Sequence, residues 1–89
     1  MSNVIVTAAQ VQDIIANSEV ITDVLFDKCT RVTVKLPNGF IITESSACVD
    51  PANFDNELGK AICMKRIENK VWELEGYVLQ KKVHEGATK

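Results

Sequence analysis

Hydrophobic and polar positions along the chain fall into three patterns, and each marks a different kind of element. Behind Thr7, the apolar residues Val11, Ile14 and Ile15 recur at helical spacing. Thr7-Ala8-Ala9-Gln10 has the form of a capping box, in which the threonine oxygen accepts an orphan helix N–H and the glutamine reaches back to the cap. A short helix over residues 8–17, closed near Asn17-Ser18, is predicted. From Val20 the period changes to two: Val20, Thr22, Val24 and Phe26 alternate with Ile21, Asp23, Leu25 and Asp27, as in a strand. In TRVTVKL the alternation is strict. Val32, Val34 and Leu36 take one face, and Arg31, Thr33 and Lys35 the other, so one face is meant for a core and one for water.

Pro37-Asn38-Gly39 then turns the chain back into FIITES. Proline presets φ for the first corner of a type I turn, Asn38 suits the second, and Gly39 tolerates the left-handed residue of a bulge. That hairpin sets Leu36 opposite Phe40 and Val34 opposite Ile42, all on the apolar face. A two-residue Asn38-Gly39 loop would set Lys35 against Ile42 and Val34 against Thr43, mixing polar with apolar, so the bulged form is expected.

The third pattern is FDNELGKAICMKRIENKVWELEGYVLQKKV. Met64, Ile67, Val71, Leu74 and Val78 recur at spacings of three and four, a stripe along one side of a helix that is expected to face the sheet. A second, broken apolar line runs through Phe54, Leu58, Ala61, Trp72, Gly76, Leu79 and Val83, interrupted by Lys65, Glu68 and Asn69. It either rests against the first helix or meets another copy of the chain. Gly76 in mid-helix, one turn from Trp72 and Leu79, leaves a recess for a partner helix, and self-association through these three residues is the sharper expectation. Together the patterns predict an α+β fold: a short N-terminal helix, a small antiparallel sheet of two or three strands, and a long C-terminal helix packed on it. Residues 1–89 form one domain in this reading, with 1–6 and 84–89 as flexible ends.

The joint SSACVDPANFDNELGK, residues 45–60, gathers a cysteine and several carboxylates, as an active-site loop would. Helix-entry chemistry accounts for most of it. Asp50 can cap, Pro51 gives up an N–H that would be orphaned at the first helical position, and Asp55 and Glu57 complement the positive end of the helix dipole. A metal site of Asp50, Asp55 and Glu57 lacks a histidine or an ion-binding glycine loop and is not expected.

Composition narrows the picture further. At 89 residues, 46% apolar and 25% charged, the chain folds but sits near the size at which a single core is marginal, which favours oligomers. A net charge of -2 offers phosphates no general attraction, so nucleic acid is not an expected partner; Lys65-Arg66 and Lys81-Lys82 are the clear basic clusters. No apolar run approaches the roughly 20 residues that span a bilayer, and cytoplasmic placement without a membrane partner is expected. Cys29, Cys48 and Cys63 are odd in number and widely spaced, and read as reduced thiols. His84 lies in a polar tail.

Several separated motifs carry a resemblance. NGF at 38–40, SACVDPANFD at 46–55, Gly59 and KVWELEGYVL at 70–79 resemble a family of small tailed-phage proteins with members in coliphage N-four and Shigella phages. The resemblance implies a phage or prophage product working in the bacterial cytoplasm, and supplies no activity. The family's recurrent residues transfer to Asn38, Gly39, Ser46, Pro51, Asn53, Phe54, Asp55, Gly59, Trp72, Glu75, Gly76 and Tyr77. The chain departs from the pattern after Thr43, where Glu44-Ser45 stands in place of a Gly-Glu pair.

No enzyme is expected. Ser45, Ser46 and Cys48 have no histidine nearby to activate them, and there is no P-loop, dinucleotide fingerprint or H-E-x-x-H, so no catalytic, cofactor or metal residues are assigned. The leading expectation is an accessory protein, itself a homo-oligomer, that binds an unidentified host or phage protein through Asn53, Trp72, Glu75, Gly76, Tyr77 and Leu79. The alternative is a binder that sequesters a nucleotide-like signal of host defence. It would stack a base on Trp72 or Tyr77 and hold polar groups with Asn53, Arg66 or Lys65.

Overall fold

A computed structural model of the chain describes residues 4–87. The order is α1 (Ala8–Ala16), β1 (Glu19–Leu25), β2 (Cys29–Lys35), β3 (Ile41–Ala47), a 3-10 turn (Pro51–Asn53) and α2 (Asn56–Ala87). This is the α-β-β-β-α order that the patterns predict, with three strands in the sheet order β1-β2-β3, both pairs antiparallel. Of the ends expected to be flexible, residues 1–3 and 88–89 lie outside the described residues, and residues 84–87 continue α2.

Local chemistry sets each boundary. Thr7 Oγ1 accepts from the Gln10 N–H at 3.1 Å while Gln10 Oε1 accepts from the Thr7 N–H at 2.8 Å, the full capping box. The bulged hairpin forms as the turn residues dictate, although Phe40, expected on the apolar face, is 51% exposed. Gly39 sits at φ 94°, the Leu36 N–H donates to the Phe40 carbonyl at 2.8 Å, and Val34 pairs with Ile42. Between β1 and β2 the chain turns through Phe26 (φ 53°) and Asp27 (φ 58°), and the Lys28 N–H donates back to the Leu25 carbonyl. Two left-handed residues in succession give a hairpin turn whose twist suits the strands, although the sequence offers no glycine for it. Glu44-Ser45, the departure from the family pattern, lies within β3 and forms no turn.

The helix entry differs in one respect from the expected one. Asp50 does cap, accepting from the Ala52 N–H at 2.9 Å with Pro51 behind it, but the element it caps is the 3-10 turn. The long helix starts after Phe54, and its cap is Asp55, whose Oδ1 accepts from the Leu58 N–H at 3.2 Å. The 3-10 turn lets the chain leave β3 and reverse before α2 runs back over the sheet.

The core consists of Val11 from α1, Val32, Val34, Leu36 and Ile42 from the hairpin, and Cys63, Ile67 and Val71 from α2. Met64 and Leu74 pack against it as the expected stripe requires, whereas Val78 stands beyond the sheet and is exposed. The stripe is therefore shifted toward the start of the helix. Gly59 and Cys63 continue it at spacings of four, both buried. The reason for a glycine there is a close approach to β2: a Cβ at position 59 would stand 2.5 Å from Thr30 Oγ1 and 2.9 Å from its Cβ. Thr30 is fully buried, and its hydroxyl donates to Asn56 Oδ1 at 2.9 Å, so the polar atom under the helix is satisfied by the helix itself. Burial pushes the Cys63 thiol above its ordinary pKa, and its Sγ points to the Thr30 carbonyl at 3.7 Å.

α2 lies over β2 and β3, and α1 sits beside it. Gln12 Nε2 donates to Glu68 Oε2 at 2.7 Å and Lys65 Nζ to Oε1 at 2.9 Å. Those two donors, lysine first, hold the Glu68 carboxyl below its ordinary pKa. Its contribution is thus complete above the usual carboxylate range and fades as pH falls through the lowered value. The molecule is elongated, 59 × 23 × 20 Å, with a radius of gyration of 16.5 Å. A compact chain of this length would have about 12 Å. The excess is α2, whose described side chains beyond Leu79 are all exposed.

Gly59→Ala should destabilise the fold by about 1–3 kcal/mol, the usual range for overpacking, in urea unfolding followed by circular dichroism. Gly76→Ala is the control. Nothing lies within 4 Å of a Cβ there, so alanine should be neutral or stabilise by up to about 1 kcal/mol. In the same assay Asp55→Ala should cost about 0.5–2 kcal/mol as the loss of the α2 cap, and Asp50→Ala clearly less.

Candidate interaction surface

Six residues are candidates from sequence, and the structure does not bring them into one site. Trp72, Gly76 and Leu79 share one line of α2, since steps of four and three residues return to within about 60° of arc on a helix. This line points away from the sheet. Trp72 is 37% exposed, and the space above Gly76 is open. Val83 continues the line toward the projecting end. Leu58 and Ala61, assigned to the same line near the start of the helix, are exposed as well.

Glu75 and Tyr77 stand on opposite flanks, about 160° apart around the helix. Glu75 is half-buried on the α1 side. There it lines a groove of about 190 Å³ with Ile14, Leu36 and Leu74, and a smaller one with Ile5, Val6, Val78 and Leu79, so that Leu79 is half-buried against the segment before α1. Tyr77 is exposed. Asn53 belongs to neither place. It lies in the 3-10 turn and lines a groove of about 150 Å³ with Ser46, Cys48, Phe54 and Asp55. The start of α2 at Asn56 is sixteen residues from Trp72, a helical rise of about 24 Å.

Electrostatics on this surface are largely internal to the fold. Lys70 pairs with Glu44, Lys65 with Glu68 and Arg31 with Asp23, while Arg66 Nη1 donates to the Ser45 carbonyl at 2.8 Å. Most of the basic side chains near the middle of α2 are therefore engaged with this chain's own acceptors. Cys48 Sγ donates to the Asp50 carbonyl at 3.2 Å, and no disulfide joins the three cysteines. Among the described residues no group of three or more His, Cys, Asp or Glu side chains is placed to hold a metal ion. None of their helices is long and apolar enough to cross a membrane.

One surface is not among the candidates from sequence. Val20 and Val24 lie on the helix side of the sheet yet are 42% and 47% exposed, and Ile21 on the other face is 62% exposed. Val20 pairs with Val34 and Val24 with Thr30, both of which are buried under the helix. What differs is the cover: α2 runs over β2 and β3 and leaves β1 aside. The signal was present in VITDVLF, which is apolar on both faces where a strand covered on one face alternates more cleanly.

Of the residues that the family resemblance carries over, Ser46, Asn53, Phe54, Asp55 and Gly59 come together around the groove at the start of α2, and Trp72 and Gly76 on its outward line. No curated protein and no solved structure matches the chain. A family model does, and the matched stretch takes in all three strands, α1 and nearly all of α2. Over residues 6–83 this chain belongs to the Phage protein (N4 Gp49/phage Sf6 gene 66) family.

Proposed function

We propose that this phage-family protein is a non-enzymatic accessory protein of the bacterial cytoplasm, a homo-oligomer that acts by binding a host or phage protein through the outward line of α2. The observation that carries this reading is the shape of that line. Trp72 and Leu79 flank the open recess at Gly76 on a helix that runs on past the core. A glycine in mid-helix costs about 1 kcal/mol relative to alanine, and here no close approach within the chain compensates for it. A partner side chain or helix seated in the recess would. Tryptophan beside a recess is the arrangement of a binding hot spot, and an amphipathic helix laid into a groove is a recurrent mode of recognition. The internal pairing of Lys65, Lys70 and Arg31, with the net charge of -2, favours a protein over a polyanion. The non-enzymatic part is supported by the thiols: Cys63 is buried with a raised pKa and Cys48 is tied to a carbonyl.

A second reading keeps one specific observation. The groove of Ser46, Cys48, Asn53, Phe54 and Asp55 joins an aromatic ring to several polar groups, as a small-ligand site does. The stacking residues first considered for it, Trp72 and Tyr77, are far from Asn53, so Phe54 is the ring that would serve. At about 150 Å³ it is smaller than typical ligand pockets of roughly 300–1,000 Å³.

Affinity capture from phage-infected bacteria, with native mass spectrometry of the purified protein, separates the readings. Under the first, a protein partner is recovered with the wild type, and Trp72→Ala weakens its binding by about 30-fold or more at a temperature where circular dichroism shows the variant folded. Equal affinity of wild type and Trp72→Ala for that partner would reject the α2 surface. A retained small molecule lost in Asn53→Ala would move the function to the groove.

A further inference from the structure

The sheet has two free edges, and they are finished differently. Along β3, α2 leans over the strand, with Arg66 on the Ser45 carbonyl and Lys70 on Glu44. A covering helix and cationic side chains are common devices that keep an edge from pairing with another chain. β1 has neither. Its sequence, EVITDVL, contains no lysine, arginine or proline, and among the described residues no strand pairs with its outer edge. It also leaves Val20 and Val24 exposed on the helix side and Ile21 on the other.

We propose that β1 pairs antiparallel with β1 of a second copy across a two-fold axis at Thr22, joining two three-stranded sheets into one. The register follows from the strand's own charges. A two-fold axis normal to the sheet keeps like faces on the same side, so the axis must pass through a residue paired with itself. With Thr22 on the axis all seven residues overlap: Val20 meets the partner's Val24, Ile21 meets the partner's Asp23, and Glu19 meets the partner's Leu25. No carboxylate opposes another. A slip that puts Ile21 on the axis sets Glu19 against the partner's Asp23, and one that puts Asp23 there sets it against itself. Like charges directly opposite each other destabilise a strand pair, which disfavours both of these slips, and an axis at Val20 or Val24 would pair only three residues of each strand.

Full overlap also joins the uncovered valines of both copies into one apolar patch on the helix side. It gives a place to the turn as well. With Leu25 opposite the partner's Glu19, the turn at Phe26 comes next to the place where the partner's α1 passes into β1. Phe26 is 90% exposed and held at φ 53°, a conformation that is strained for a bulky residue. The self-contact thus belongs to β1, and the outward line with Trp72 and the open recess at Gly76 stays available to a different protein.

Sedimentation equilibrium of the full chain at micromolar concentrations tests the pairing. The wild type should be dimeric. Thr22→Glu places two carboxylates together at the axis and should weaken the dimer by tenfold or more with the circular dichroism spectrum unchanged. A second pair of variants holds even if that one misfolds. Leu25→Lys sets a cation opposite Glu19 of the other copy, and Leu25→Glu an anion, twice per dimer. The lysine variant should associate on the order of tenfold more tightly than the glutamate variant. A monomeric wild type, equal association of the two Leu25 variants, or a dimer lost in Trp72→Ala but kept in a folded Thr22→Glu would overturn the proposal.

Discussion

One close approach governs the rest of this structure: α2 rests on Thr30 through Gly59. The hydroxyl of Thr30 is wholly buried in the middle of the sheet, where an unpaired polar atom would cost about 1–3 kcal/mol. It is satisfied only because the first turn of α2 brings Asn56 within 2.9 Å of it. That turn can come so near only without a side chain at position 59. Hydrogen bond and glycine therefore impose one another. Together they fix where the helix begins, how close it lies to β2, and which of its faces points down.

The consequences spread along both elements. A helix pinned above β2 at its start covers β2 and β3, with Arg66 and Lys70 reaching over the β3 edge, and leaves β1 unroofed. The same helix is 32 residues long and outruns the strands, each of which has seven. Its far end has no sheet beneath it. The fold thus has two unfinished surfaces for a single reason, an edge strand without cover and a helix without a floor. A chain of 89 residues gains from completing either, since a core of this size is marginal by itself.

Much of this was legible in the sequence where a local rule has one solution. Thr7-Gln10 admits a capping box, Pro37-Asn38-Gly39 admits a bulged hairpin with Val34 on Ile42, and both are present. The helix stripe was legible in period but displaced in phase, because spacing alone does not tell which end of a long helix the sheet supports. Cys63 took the place given to Val78, and a buried glycine carries no apolar signal at all. Asp50 and Asp55 are both good caps, and their shared loop gives no hint that one serves a 3-10 turn and the other α2. The candidate surface was read least well. Trp72, Gly76 and Leu79 do share a face, but Asn53 and Tyr77 were joined to them by nearness in a motif list, and helix geometry separates them. The exposed side of β1 depends on where α2 crosses, which is a tertiary fact set at Thr30.

α2 is clamped at one end and free at the other, and residue-resolved amide hydrogen exchange measures that directly. The predicted result is a gradient. Amides from Cys63 to Val71 should exchange only through global unfolding, protection should decline past Leu79, and residues 82–87 should exchange close to the rate of an isolated helix end. Uniform protection along the whole helix, or weak protection in the turns above Thr30, would contradict it.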